Sequence, residues 1–156
     1  MIDWGSLARA IHILSVVVWI GGVSLVTTAL LPAMKGRPIE QWMREFDDAE
    51  RRFAPQARVA VLLVLVSGLY MLYAYDLSDR FTEAHFWWMH LMIGVWLLFA
   101  VLLLVVEPLS TRHAVRGRLE ASPQATLTRI LWMHRLLLAL SLTAIFAAVG
   151  GAHGLF

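Results

Sequence analysis

Four long apolar stretches separated by charged segments run along the chain, at about residues 7–31, 58–76, 85–107 and 130–153. From Ala10 to Leu31 the only ionisable side chain is His12, and at a rise of about 1.5 Å per residue such a run covers a hydrocarbon core of about 30 Å. The second stretch is the shortest, and the fourth carries Arg135 near its start. Strands are excluded, because isolated strands leave backbone groups unpaired in lipid and four segments cannot close a barrel. The pattern predicts an all-α fold, an up-down bundle of four transmembrane helices forming one membrane domain over residues 1–156. Between the first two spans, Ile39, Trp42, Met43, Phe46 and Phe53 recur near helical spacing among charged residues, with Pro38 at the first turn. That periodicity predicts a short amphipathic helix on the cytoplasmic membrane surface. A solvated connector anchored by aromatics fits it as well.

Composition agrees with the pattern: 60% of residues are apolar and 15% charged, with a mean hydropathy of +0.70, far from a soluble domain. The chain has no cysteine, which removes disulfides, thiolate ligands and iron–sulfur clusters from consideration. Asp3 near the start, and an apolar run too long for a signal sequence with no small-residue cleavage site after it, argue against a cleaved leader. Of the 13 Lys and Arg, only Arg9 and Arg80 fall on the side that holds the termini. Positively charged loops stay in the cytoplasm, so the termini are expected outside, periplasmic for a bacterial inner-membrane protein. Topology and anionic lipid account for the basic loops, and no nucleic-acid recognition motif is present. Trp4, Trp42, Trp87, Trp88 and Trp132 sit near span ends like an aromatic belt, whereas Trp19 and Trp96 lie deeper, against helices or a cofactor.

Histidine carries the candidate chemistry, because ionisable groups inside a bilayer usually serve a function. His12, His90 and His153 all fall near the outer ends of their spans and so share one layer. His85 lies just outside that layer, His134 in the cytoplasmic half without a partner at equal depth, and His113 beyond Pro108 in a loop. In an up-down bundle the first and third helices face each other across a diagonal of roughly 12–14 Å, a gap that suits a porphyrin. A b-type haem takes two facing axial ligands, and His12 with His90 is the preferred pair, with His153 able to replace either. Gly94, one turn from His90, removes bulk on that face; Trp19, two turns from His12, could flank the ring; Arg9, near the outer interface, could meet a propionate. Each histidine could instead hydrogen-bond a carbonyl or a neighbouring helix, and the methionines could be packing residues.

His12, the run Trp19-Ile20-Gly21-Gly22, Pro32, Arg52-Phe53 and Gly68 together resemble the copper-resistance D family of membrane proteins. Trp88-Met89-His90 is similar to the Trp-Leu-His of the related HemJ-type protoporphyrinogen oxidases. The resemblance covers the chain from His12 to about Pro108. The HemJ-type likeness implies b-type haem, with His12 and His90 in the places of the first-helix and third-helix histidines. Met92 stands where those oxidases carry a lysine, and their Asn-Glu-x-Pro element is absent, so their reaction is not implied. The copper-resistance D likeness implies copper handling at the outer face, with His12, Met89, His90, Met92 and His153 as ligands.

Three function classes follow. A haem-b redox protein exchanging electrons with quinone or an external redox partner ranks first, copper binding or transport second, and a structural subunit of a membrane complex third. No Ser/His/Asp set, phosphate-binding glycine loop or paired intramembrane carboxylates supports hydrolysis or phosphoryl transfer. Oligomeric state is left open.

Overall fold

The computed structural model describes residues 2–109 and 122–155. The side chain of Ile39, and Arg112, His113, Arg116 and Arg118, lie outside the described residues. The described residues are helical or in turns, with no strand, and contain four helices long and apolar enough to cross a membrane. These are α1, Trp4–Ala33; α2, Ile39–Ala74; α3, Ala84–Leu109; and α4, Pro123–Ala152. Two 3₁₀ turns, Ser78–Thr82 and Ala84–Phe86, lead into the α-helical part of α3.

Local chemistry sets the ends. Asp3 caps α1: its carboxylate accepts the Gly5 N–H at 3.0 Å and the Ser6 hydroxyl at 2.5 Å. Those bonds, the Ser6 hydroxyl first, hold its pKa below the usual carboxylate value. Helices α2 and α4 both close by the same device. Beyond α2, Asp76 takes a left-handed φ of 50°, and the Leu77 N–H reaches back to the Leu72 carbonyl at 3.0 Å. Beyond α4, Gly154 has φ 74°, and the Leu155 N–H bonds the Gly150 carbonyl at 2.9 Å. In each case the residue with positive φ turns the chain so that a last-turn carbonyl finds a donor.

The segment expected as a separate surface helix is the first part of α2, which runs unbroken for 36 residues through Pro55. Pro55 and Arg51 are both exposed, so the carbonyl that proline deprives of a donor lies at the surface. The apolar face of this part meets protein. Trp42 is buried and stacked on Phe46 at 5.7 Å, in a cluster with Leu31, Met34 and Leu127 from the ends of α1 and α4.

Side-chain contacts tie neighbouring helices together. Gly5 meets Tyr75, His12 meets Gly68, and Gly22 meets Phe53 between α1 and α2. Arg58 pairs with Glu107 at 2.8 Å, and the Trp96 indole donates to the Val61 carbonyl at 2.9 Å, between α2 and α3. Gly151 takes the Trp88 ring between α3 and α4. The contacts place both termini at one end, called the terminal end below, and residues 34–38 at the distal end. The central core joins all four helices through Trp19, Val61, Val64, Val95, Phe99, Leu137 and Ala144. Much of the remaining apolar surface is outward: Leu14, Val66, Leu97 and Phe146 are all exposed, as a bilayer-facing surface requires.

A candidate ligand cavity at the distal end

The histidines expected to share one layer are held in different surroundings. His12 is half-buried on the α1–α2 seam, its Nδ1 3.0 Å from the Ser67 Oγ. Ser67 donates its own hydroxyl to the Leu63 carbonyl, so it accepts from His12, and Nδ1 carries the proton. Across the seam the imidazole packs on Gly68, where a Cβ would lie 3.4 Å from the His12 Cε1, an ordinary contact distance. His90 is exposed, its ring edge-on to Phe81 at 5.5 Å. His153 is exposed at the end of α4, with Nδ1 donating to the Val149 carbonyl at 2.8 Å. No contact joins these three, and no group of three or more His, Asp or Glu side chains able to hold a metal occurs among the described residues. The other residues of that candidate site each have their own surroundings. Gly94 is exposed, with nothing within 4 Å of where its Cβ would be, and the Arg9 guanidinium lies over Tyr75 at 5.4 Å. Trp19 is buried edge-on against Phe99 at 4.9 Å, closing the α1–α3 diagonal at that level. Met89 is buried with Trp88 and Ala147, and Met92 packs on the same cluster, in packing roles. His85 lies edge-on to Phe86.

The residues of the family-like motif have a packing role in common. His12 fits against Gly68, and Phe53 fits against Gly22, where any added Cβ would collide with the phenyl ring. The Phe53 ring of α2 thus enters a glycine notch on α1, and His12 of α1 packs on Gly68 of α2.

A cavity of about 740 Å³ opens between the four helices in the distal half. The volume is typical of a ligand site. It exists because Gly22, Ala29, Ala33, Ala54 and Ala57 present little side chain to it, while Trp19, Phe46, Phe53 and Phe99 supply aromatic walls. Two π-helical turns border it, Val26–Leu30 in α1 and Leu102–Val106 in α3. Each turn stands in the same register before a proline. In α1 the Leu31 N–H reaches the Val26 carbonyl ahead of Pro32; in α3 the Glu107 N–H reaches the Leu102 carbonyl ahead of Pro108. A proline has no N–H for the carbonyl one turn back and its ring crowds that carbonyl. Widening the preceding turn relieves the crowding, and such turns favour functional sites.

Polar groups are few on the cavity walls: His134, Glu50 and Glu107. His134 Nδ1 lies 2.9 Å from the Ile130 carbonyl, which can only accept. The neutral ring therefore carries its proton on Nδ1 and leaves a lone pair on Nε2. Glu107 is held by Arg58, whose Nε also donates to the Leu103 carbonyl at 3.2 Å. The Trp19 indole N–H has no acceptor. From the sequence alone the preferred site lies at the opposite end, with His134 a candidate position for a second haem that lacks a partner at equal depth. The signal that points here is the equivalent spacing of Pro32 and Pro108 near the distal ends of two spans.

In comparisons with protein-family models, curated proteins and solved structures, none matches this chain significantly.

Proposed function

We propose that this chain is a multi-pass membrane protein of redox chemistry, an up-down four-helix bundle with its termini outside, which holds an uncharged, lipid-soluble ring ligand in the distal cavity. The observation that carries the reading is that cavity: about 740 Å³, walled by aromatic and small residues and by His134, whose Nε2 keeps a lone pair when Nδ1 bonds the Ile130 carbonyl. The strong excess of Lys and Arg away from the termini supports the orientation, which puts the cavity in the cytoplasmic half. The apolar walls favour a ligand that partitions from the bilayer.

A b-type haem in the same cavity is the second reading. It is favoured by one feature, the His134 Nδ1–H bond to a carbonyl, which is how metal-bound imidazoles are commonly oriented. His134 would hold the iron, and the haem would supply one-electron chemistry. Against it stands the lining, whose one histidine among the described residues is His134, so the walls supply a single imidazole for the iron.

Two measurements separate these readings. Ala29 lines the cavity and is itself exposed, so Ala29→Trp fills the space from its open side. Saturable uptake of a short-chain benzoquinone probe should vanish in that variant; uptake that never saturates, or ignores the substitution, would count against the cavity. In oxidised and dithionite-reduced spectra of protein from haem-replete cells, the first reading expects no α-band. A band lost in His134→Ala would favour haem in the cavity, and one lost in His12→Ala or His90→Ala would restore the outer pair.

A further inference from the structure

Resting on that cavity reading, we infer that the ligand is a hydroxylated aromatic ring of the quinol class, recognised by donation of its hydroxyl to His134 Nε2. The polar groups facing the cavity all accept. His134 offers a lone pair at Nε2, because its Nδ1 proton is committed to the Ile130 carbonyl. Glu107 is already paired with Arg58, and no Lys or Arg is among the lining residues. The Trp19 indole N–H is fully shielded, so it does not face the open volume. A ligand that only accepts, such as a quinone with its two carbonyls, would set lone pair against lone pair at Nε2. An anion would set its charge against the same lone pair, with no Lys or Arg on the walls to receive it. A phenolic hydroxyl supplies the missing donor, and the ring has Phe46, Phe53 and Phe99 to pack against. The π turns on two sides widen the seat for such a flat group, and the apolar remainder accepts the tail. His134 is thus the residue that separates the reduced from the oxidised form.

The test uses the full chain in lipid nanodiscs, titrated anaerobically by calorimetry with a short-chain benzoquinol and, separately, with its quinone. The quinol should bind about tenfold tighter than the quinone, the factor that one added hydrogen bond supports. His134→Phe should bring the two within about twofold by loss of quinol affinity alone, and His134→Gln, whose amide both donates and accepts, should bind quinol and quinone about equally. Thermal melts matching the parent chain confirm that both variants fold. Equal affinities in the parent chain, unchanged in His134→Phe, with both ligands still excluded by Ala29→Trp, would overturn the quinol assignment and leave the cavity reading standing. If neither ligand binds saturably to the parent chain, the cavity reading itself falls.

Discussion

At the scale of single residues, the two adjacent glycines of α1 make opposite demands. Gly22 faces Phe53 so closely that a methyl group has no room, whereas Gly21 has nothing within 4 Å. Gly22→Ala should therefore destabilise the detergent-solubilised protein by about 1–3 kcal/mol through overpacking. Gly21→Ala should be neutral or stabilise by up to about 1 kcal/mol through helix propensity. Denaturant or thermal melts of the two variants check the pair, and equal effects would contradict the notch-and-ring packing. The sequence offers both glycines in one motif and does not distinguish them, because hydropathy says which residues are in the membrane but not which face meets a partner. The same blindness explains the histidines. Depth is readable from position along a span, and His12, His90 and His153 do lie toward the terminal ends of their helices. The azimuth that sends His12 toward Ser67 and His90 toward Phe81 depends on how the helices are rotated against one another, which a near-uniformly apolar helix does not encode.

Among the elements, the existence of four apolar helices was legible, since backbone hydrogen bonding in lipid leaves hardly any other choice. Their internal irregularities were not. The amphipathic periodicity near Trp42 was visible, yet its continuation through Pro55 into the second span was not, because proline usually reads as a boundary. The paired π turns were hidden for a related reason: a proline predicts disturbance of the preceding turn but not whether it kinks, frays or widens. Their role is testable. Replacing Pro32 and Pro108 together by alanine restores the missing N–H groups and lets both turns tighten to α geometry, which narrows the cavity. The double variant should be at least as heat-stable as the parent and bind the benzoquinol probe about tenfold or more weakly, by the strain of refilling a tightened site. Unchanged affinity would separate the π turns from the site.

For the whole molecule, the arrangement of charge makes a prediction that the absence of native cysteine renders simple to check. With both termini outside, a cysteine introduced at Ser78 should react with a membrane-impermeant maleimide in intact cells, and one at Lys35 should react only after permeabilisation. The reverse pattern would invert the bundle and move the cavity to the outer half. The cavity itself is a property of the assembled bundle, since its walls come from all four helices and no single span contains a recognisable fraction of it. That is why, span by span, the histidine layer stands out in the sequence and His134 does not.

The measurement that reaches the central claim most directly is photolabelling with an azido-substituted benzoquinol in nanodiscs, followed by mapping of the labelled peptides by mass spectrometry. Label is expected at cavity residues such as Val26, Phe53, Leu103 and Met133, removed by Ala29→Trp and by excess unlabelled quinol. Label confined to the terminal end around His12 and His90, or spread evenly over outward residues such as Leu97 and Phe146, would contradict it.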